Sequence, residues 1–342
     1  MHVVLLHDAL SIDARPDESD VLVQVEAVSA ALRELGHQTT PLGLTLDLQA
    51  GSRQLAALQP DLVFNLVEAV AGQGRLIYLA PALLDSLHIR YTGASTEAMF
   101  LTSSKTLTKQ FLTMHSLPTA PWYECTEPPT NPSRGVSESS IVNRQSPIPN
   151  QRWIIKSVWE EASVGLDEDS VVAATSESEL RQHIQSRLVQ LGGAGFAEAY
   201  IDGREFNLAL LADPGSPDGC VVLPPAEIEF VGYGPDKPRV VGYRAKWDEE
   251  SFEYKNTRRG FDFADQDTNL LDRLRELAAT CWRVFDLRGY ARVDFRVDAQ
   301  GNPWILEINA NPCISPDAGF IAAATRWGLS YKDVVQRIIA DV

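Results

Sequence analysis

Three oxygen-bearing side chains, Asp294, Glu307 and Asn309, stand in two short segments near the C-terminal end of the sequence. Residues 292–297 and residues 304–309 alternate polar and apolar types with a period of two, as half-buried β-strands do. The residues between them are of the types that form turns. The sequence therefore predicts a β-hairpin that carries all three side chains.

The expected register of this hairpin brings its acidic side chains together. A four-residue turn at 299–302 sets Val297 opposite Trp304, and it therefore sets Asp294 opposite Glu307. Directly opposed residues have Cβ atoms only about 4.5–5.5 Å apart. Two like charges at that separation destabilise a sheet unless a positive charge lies close to both of them.

The positive charge near Asp294 and Glu307 could come from either of two sources. Oxygen donors such as Asp294, Glu307 and Asn309 suit Mg²⁺ or Mn²⁺ better than zinc, which indicates a metal site. Alternatively, Arg292 and Arg296 on the same strand neutralise the acids in a lattice of salt bridges. The spacing alone does not decide between the two.

The composition excludes several classes of protein. The 342 residues are 44% apolar and carry a formal charge of −16, so the chain can build large cores but lacks the clustered basic residues of a nucleic-acid partner. Its four cysteines form no C-x-x-C pair, which argues against a zinc knuckle or a disulfide framework. The chain shows no leader and no long apolar segment. We therefore expect a soluble cytoplasmic protein without a membrane partner.

The first part of the chain has the pattern of a doubly wound α/β unit. It contains neither the glycine fingerprint of a dinucleotide site nor a P-loop. A proline-rich stretch at residues 126–150 predicts a flexible insertion. The elements expected before it are strands at 3–7, 61–65 and 88–92, and helices at 21–35, 76–87 and 95–115.

The rest of the chain alternates further strands and helices around charged residues. A capping box at Ser176 and Glu179 begins a helix. The dipeptide Asp202-Gly203 predicts a tight hairpin that sets Glu198 and Glu205 on one side. The other expected elements are strands at 153–158, 196–201, 205–211 and 240–246, and helices at 269–285 and from 332.

Three lysines could hold phosphate groups. Lys156 lies in a strand just before a loop with small residues, and a lysine beside free backbone N–H groups is a recurrent polyphosphate site. Lys105 and Lys246 are further candidates, and Glu198 with Glu205 could bind an adenine amine and ribose hydroxyls. Each of these residues taken alone could equally be surface charge.

The order of these segments resembles the ATP-grasp superfamily and, within it, the D-alanine–D-alanine ligase family. The resemblance spans nearly the whole chain, and the strand pair with Asp294 and Glu307 is its most specific part. The other segments that carry it are Arg90-Tyr91-Thr92-Gly93, Lys105, Ile155-Lys156, Ser163-Val164-Gly165, residues 198–205 and Ala245-Lys246-Trp247.

The resemblance implies an α/β (α+β) chain with the ATP-grasp fold, in which ATP lies between two antiparallel sheets. It implies a Rossmann-like N-terminal domain at residues 1–100 and a central lid at residues 101–200 that includes the insertion. The C-terminal ATP-grasp block would span residues 201–342. It also suggests a homodimer.

The resemblance assigns a role to each candidate residue by position. Lys105 and Lys156 would hold the α- and β-phosphates of ATP, and Lys246 would approach the γ-phosphate. Ser163 and Gly165 would close over the phosphates, Glu198 and Glu205 would contact adenine and ribose, and Ala199-Tyr200-Ile201 would contact the purine edge. Asp294, Glu307 and Asn309 would bind two Mg²⁺ or Mn²⁺ ions. Arg292 would stabilise the oxyanion.

These parts imply an ADP-forming ligase that joins a small carboxylic acid to an amine, with amino acids as the expected substrates. The substrate carboxylate would attack the γ-phosphate, and positioning and electrostatics would supply the catalysis. An amine would then attack the acyl phosphate, while Arg292 and a backbone N–H near Cys313 hold the tetrahedral oxyanion. Closure of the lid would exclude water.

The substrate end departs from the family pattern. Cys313 replaces a glycine, and Asp317 stands in the stretch where the family has a serine that receives the carboxylate of the second substrate. Glu68 belongs to an altered acidic motif, while Glu18 and Asp20 are candidates to bind a substrate ammonium group. We therefore expect an acceptor other than D-alanine.

Three alternatives are weighed against this hypothesis. The chain could be an authentic D-alanine–D-alanine ligase of peptidoglycan synthesis with a divergent second site. It could be a non-catalytic, ATP-binding regulatory protein, although the presence of Arg292 with all three metal-type residues speaks against this. A metal-dependent phosphohydrolase would leave the three lysines without a role.

Overall fold

The computed structural model of the chain describes residues 1–10, 15–124, 151–160 and 163–342. The insertion expected at residues 126–150 lies outside these described residues. The strands of the described part form three sheets, and each sheet takes its strands from one stretch of the chain. The domain boundaries expected at residues 100 and 200 stay predictions.

The N-terminal sheet is parallel and covered by helices on both faces. Its middle strand is an almost continuous apolar run, as a strand buried on both faces requires. Val3 and Leu5 belong to one core cluster, and Val4 and Leu6 to another. The sheet has the order β2-β1-β3 and consists, with its helices, of β1 (His2–Asp8), α1 (Pro16–Glu34), β2 (Gln38–Leu44), α2 (Leu48–Leu58), β3 (Leu62–Asn65) and α3 (Leu79–Ser86).

Two expectations for the following segment are wrong. Residues 88–92 form no named strand, since only Tyr91 makes an isolated bridge to Val63. The single helix expected at 95–115 is two helices, α4 (Thr96–Ser103) and α5 (Lys105–Met114). Ser104 between them is extended, and its hydroxyl accepts a hydrogen bond from the N–H of Leu107 at 3.3 Å. This N-cap places Lys105 at the start of α5.

The central sheet is antiparallel with the order β4-β7-β5-β6. The side chain of Ser176 accepts a hydrogen bond from the N–H of Glu179, so the predicted helix start is confirmed. Leu180 and Ile184 of this helix pack on the sheet. The elements are β4 (Trp122–Glu124), β5 (Gln151–Ser157), β6 (Val171–Ala174), α6 (Glu177–Arg187) and β7 (Gly195–Ala199).

The C-terminal sheet is also antiparallel, with the order β11-β10-β8-β12-β13 and a short strand β9 beside β8. Two short helices lie between β10 and β11, and a long amphipathic helix packs on the sheet. The elements are β8 (Arg204–Ala212), β9 (Cys220–Val222), β10 (Ala226–Phe230), α7 (Tyr243–Trp247), α8 (Phe252–Asn256), β11 (Thr257–Gly260), α9 (Thr268–Val284), β12 (Tyr290–Val297) and β13 (Pro303–Asn309).

The hairpin expected around Asp202-Gly203 is wrong. Strand β7 belongs to the central sheet and β8 to the C-terminal sheet, so the chain crosses between the sheets at this turn. A Cβ atom at Gly203 would lie 2.0 Å from the carbonyl oxygen of Val297. The glycine is therefore needed because two backbone segments approach closely here.

The predicted pairing of the acidic residues is confirmed, although the turn differs. Asp294 lies opposite Glu307 and Arg292 opposite Asn309. Val297, however, lies opposite Pro303 and not Trp304, because a β-bulge interrupts the ladder between Asp294 and Phe295. The strands are thus joined by five residues, 298–302. A bulge is invisible in a pattern of period two.

The C-terminal helices tie the N-terminal and C-terminal sheets together. One core cluster contains Leu5 of β1, Leu211 of β8, Phe320 and Val334. The last two residues belong to α10 (Gly319–Arg326) and α11 (Tyr331–Ala340). Among the described residues no helix is long and apolar enough to cross a membrane. The cytoplasmic location and the homodimer stay predictions.

Candidate active site

A cavity of about 630 Å³ lies where the central and C-terminal sheets face each other. It takes its walls from β5 and β7 on one side and from β8, β12 and β13 on the other. The structure brings all the predicted site residues to this cavity except Glu18 and Gly165. Residues that lie far apart in the sequence are therefore gathered around one space.

The carboxylates of the hairpin face a cluster of cations. Arg292 donates two hydrogen bonds of 2.8 Å, from Nε to Oδ1 and from Nη2 to Oδ2 of Asp294. Glu307 Oε1 lies 3.9 Å from Arg292 Nη2, and Glu307 Oε2 lies 3.7 Å from Lys105 Nζ. The residues expected to bind metal thus also belong to a salt-bridge lattice, in which Arg292 neutralises Asp294 while Arg296 pairs with Glu205.

The two carboxylates have opposite pKa shifts. Burial raises the pKa of Asp294 to about 6, and the charge of Arg292 offsets this only in part. Burial would also raise the pKa of Glu307, but Lys105, Lys246 and Arg292 outweigh it and lower the pKa to about 2. Glu307 is therefore a carboxylate at neutral pH, with its charge balanced by the surrounding lysines and arginine.

The donor set fits Mg²⁺ bound together with a phosphate. Among the described residues, no three side chains of His, Cys, Asp or Glu form a metal-binding group. Asp294, Glu307 and the amide oxygen of Asn309 thus supply only part of a coordination sphere. Mg²⁺ is commonly held by one or two carboxylates, with waters and substrate phosphates as its other ligands.

Lys156 is held by a carboxylate that was expected to contact adenine. Glu198 is 1% exposed and forms ion pairs with both Lys156 Nζ, at 2.5 Å, and Lys109 Nζ. Its pKa is lowered because the two lysines outweigh the effect of burial. Glu198 therefore orients Lys156 at the cavity wall, which leaves contact with an adenine amine a prediction.

Lys109 was missed among the candidate site residues. It is fully buried, and its Nζ donates to Thr119 Oγ1 at 2.8 Å and to the carbonyl of Ala120 at 3.1 Å. The signal in the sequence was its position, one helical turn after Lys105 on α5. Its Nζ also contacts Glu198 of β7 and lies 5.6 Å from the centre of the Trp122 ring of β4, and no local pattern reveals these contacts.

Two other positively charged residues shape the walls. Lys246 lies on helix α7 and not on the strand expected at 240–246. Burial and the charge of Arg292 lower the pKa of Lys246. Lys105 donates from Nζ to the carbonyl of Glu160 at 3.0 Å, which fixes it between α5 and the loop after β5. Both lysines line the cavity, as predicted.

The segment expected at the purine and ribose is partly engaged by the protein itself. Glu205 forms an ion pair of 2.9 Å with Arg296, whose guanidinium also lies over the ring of Tyr200 at 5.8 Å. The N–H of Ala199 donates to the carbonyl of Pro121 at 2.8 Å. Ala199, Tyr200 and Ile201 all line the cavity.

The loop after β5 closes one side of the cavity through hydrogen bonds. Ser163 donates from Oγ to the carbonyl of Val241 at 2.7 Å, and Tyr243 donates its N–H to the carbonyl of Leu166 at 3.0 Å. Gly165 has φ +68°, and a Cβ atom there would lie 2.5 Å from the carbonyl oxygen of Gln190. Gly165 shapes the loop, therefore, without lining the cavity.

At the substrate end, Asp20 is held by the loop after β13. Ser315 Oγ lies 3.0 Å from both carboxylate oxygens of Asp20, and Cys313 Sγ lies 3.0 Å from Oδ2. Burial raises the pKa of the Cys313 thiol far above its usual range, so the side chain stays neutral. Asp20 thus fastens α1 to this loop, a contact that the sequence did not predict.

The other N-terminal acids also have partners within the protein. Glu68 accepts a hydrogen bond of 2.7 Å from Gln24 Nε2, and Gln24 Oε1 accepts one of 3.0 Å from the N–H of Ile314. Glu18 accepts one of 2.8 Å from the N–H of Arg15 and forms part of the N-terminal cap of α1. Gln24 is buried and was missed, because it acts only between distant segments.

Comparisons with known proteins agree with this geometry. The family described as D-ala D-ala ligase C-terminus matches residues 112–340. The chain is 26% identical to a D-alanine–D-alanine ligase of Aquifex aeolicus, with 99% of this chain and 100% of that relative covered. It is 28% identical to the uncharacterized protein y4sG of Sinorhizobium fredii, with 92% of this chain and 85% of the relative covered.

The fold is shared with solved structures. A D-alanine–D-alanine ligase from Bacillus anthracis complexed with ATP is similar with a TM-score of 0.71 at 17% identity, covering 100% of this chain and 97% of that one. A D-alanyl-alanine synthetase A from Vibrio cholerae gives 0.71 at 15% identity, covering 99% and 98%. The expected α/β architecture with the ATP-grasp fold is therefore confirmed.

Proposed function

We propose that this chain joins a small carboxylic acid to an amine acceptor other than D-alanine. The chain belongs to the D-alanine–D-alanine ligase family and is an ATP-dependent, ADP-forming ligase of C–N bonds. The match over residues 112–340 covers more than half of the chain and defines the family. ATP and Mg²⁺ are the cofactors of this family. The departure in acceptor is our own hypothesis.

One observation carries the ligase assignment: three lysines and two carboxylates from five different elements line one cavity. Lys105, Lys156 and Lys246 come from α5, β5 and α7, and Asp294 with Glu307 comes from the hairpin. Lysines beside a pair of hard carboxylate donors suit a metal-bound polyphosphate. A phosphohydrolase would have less use for so many fixed cations.

The first step would be phosphoryl transfer to the substrate acid. Lys105 and Lys156 would fix the phosphates, and Lys246 would lie near the group in transfer. Asp294, Glu307 and Asn309 would hold Mg²⁺, which when bound neutralises charge that develops on the transferring phosphate. The substrate carboxylate attacks phosphorus, the bond to ADP breaks, and an acyl phosphate forms.

The second step would be attack by the amine on the acyl carbon, with loss of phosphate. Arg292 is held on Asp294 through Nε and Nη2, so its plane is fixed. Arg292 lines the cavity, and its Nη2 also lies 3.9 Å from Glu307 Oε1. The geometry is compatible with donation to the tetrahedral oxyanion, and a preorganised donor of this kind contributes about 3–4 kcal/mol.

The substrate end supports an altered acceptor. Cys313 fills space at a position where the resemblance implies a glycine, and its thiol contacts Asp20. Asp20 is engaged by Ser315, so it offers less to a substrate ammonium group than expected. Asp317 adds a negative charge to the same wall. An authentic D-alanine–D-alanine ligase is the second candidate, since curated relatives bear that name.

The test is release of ADP and phosphate with Mg-ATP and pairs of acids and amines, including D-alanine alone. Hydroxylamine in place of the amine traps the acyl phosphate as a hydroxamate. We expect hydroxamate formation, weak turnover with D-alanine alone, and loss of activity in Glu307→Ala. Robust turnover with D-alanine alone would support the second candidate, and phosphate release without hydroxamate would contradict the ligase mechanism.

A further inference from the structure

Arg259 brings a positive charge to the substrate end of the cavity that no assigned role uses. It lies on β11 opposite Ile228 of β10, and both residues line the cavity. The preceding residue, Arg258, lies opposite Glu229. Arg259 and Ile228 lie on the same face of this strand pair, and Arg258, although on the other face of β11, also lines the cavity.

The charge of Arg259 is only partly balanced by an acid. In the part of the chain that the structure describes, Arg259 forms no salt bridge, whereas Arg292 is paired with Asp294. Burial and the charge of Arg292 lower the pKa of Arg259, and Asp317 acts in the opposite direction. The positive charges of Arg259 and Arg292 repel each other across the cavity, and an anion that binds near both would reduce this repulsion.

The guanidinium of Arg259 also has a defined seat. A Cβ atom at Gly319 would lie 3.3 Å from Nη2 and 3.4 Å from Nε of Arg259, so the group lies directly over this glycine. Gly319 is the first residue of α10, and the backbone N–H groups of a first helical turn favour negative charge. A larger residue at 319 would push the guanidinium away from this seat.

We propose that Arg259 is a specificity-determining residue that binds a carboxylate group of the acceptor amine, beside the first turn of α10. This rests on the proposed ligase function. Asp317 by itself would repel a carboxylate-bearing acceptor, and Arg259 offsets this negative charge. The acceptor is accordingly a carboxylate-bearing amine, such as an amino acid or a peptide, and not a neutral amine.

The experiment compares each acceptor with its own carboxamide, for example glycine with glycinamide and each enantiomer of alanine with its alaninamide. Product is measured by mass spectrometry at fixed Mg-ATP and donor acid. We expect the wild type to prefer the carboxylate form. Arg259→Gln should raise KM for the carboxylate acceptor roughly 10–100-fold, as loss of a charge-assisted hydrogen bond predicts, with a much smaller change in kcat.

Matched variants make the outcome specific. Arg275→Gln, at an exposed position of α9 outside the cavity, should change this KM less than about threefold, and Arg259→Lys should recover part of the effect. Equal use of carboxylate and carboxamide, an equal effect of Arg275→Gln, or a rise in KM for ATP of the same size would overturn the assignment.

The trapping reaction separates this inference from the proposed function. Wild-type protein that forms hydroxamate but joins none of the carboxylate-bearing acceptors contradicts the role of Arg259 while leaving the ligase mechanism in place. Wild-type protein that forms no hydroxamate with any acid contradicts the ligase mechanism itself. Circular dichroism of each variant checks that it is folded.

Discussion

The buried contact between Lys109 and Glu198 allows a quantitative test of how the phosphate lysine is held. Lys109→Met keeps a side chain of similar length but removes the charge from a fully buried position. Glu198 would then face only Lys156. Removing one partner of a buried ion pair costs about 3–5 kcal/mol, because the remaining charge stays buried without full compensation. We expect the lower end, about 3 kcal/mol, since Lys156 remains.

The free energy of unfolding is measured by urea denaturation followed by circular dichroism, with linear extrapolation to water. Lys332→Met is the matched control, because Lys332 and Glu34 form an exposed pair at 3.7 Å. An exposed pair of this kind contributes at most about 1 kcal/mol. The double variant Lys109→Met/Glu198→Gln should be more stable than Glu198→Gln alone, because Glu198→Gln takes the carboxylate from two lysines and the double variant takes it only from Lys156.

The same substitution has a functional consequence. Without Lys109, the carboxylate of Glu198 is free to interact more strongly with Lys156, which should raise KM for ATP. A loss of stability below about 1 kcal/mol, or a double variant as unstable as the sum of its parts, would refute the account of a desolvated ion triple.

Two further predictions concern Asp8 and Gly165, which do not line the cavity themselves. Burial raises the pKa of Asp8 from 3.8 to about 7, so between these pH values the native state keeps a proton that the unfolded state has released. The free energy of unfolding should therefore fall as pH rises through this window. Asp8→Asn should flatten this pH dependence in urea titrations from pH 5 to 8, and an unchanged slope would exclude Asp8 as its source. Gly165→Ala should raise KM for ATP and lower Tm more than Gly193→Ala does. Both glycines have positive φ, but only at Gly165 would a Cβ atom meet a backbone oxygen. Equal effects of the two substitutions would show that the clash at Gly165 is relieved.

The sequence predicts most of what local pattern encodes. Period-two alternation and turn residues gave the hairpin and set Asp294 opposite Glu307, as observed. The resemblance also assigned residues from distant segments to one ATP site, and most of these residues line a single cavity. Five residues of Lys246's segment form a helix, however, because short apolar and polar runs fit both a strand and a helical turn.

The sequence pattern did not predict contacts between residues that lie far apart along the chain. Glu198 was expected to meet adenine, but the helix residue Lys109 packs against it from another element. Asp20 was expected to bind a substrate, but it fastens the loop at Ser315, almost three hundred residues later in the chain. Such contacts depend on how whole elements pack, so neither propensity nor spacing contains them. Arg259 was missed for the same reason.

The β-bulge in the hairpin links two places that are separate in the sequence. Five residues join the strands, and without the bulge this turn would set Asp294 opposite Leu306, while Glu307 would point to the other face of the sheet. Leu306 is the extra residue that returns Glu307 to the cavity. Gain or loss of one turn residue is therefore tolerable only together with a matching change at 306, so the two positions form a single evolutionary unit in this hairpin.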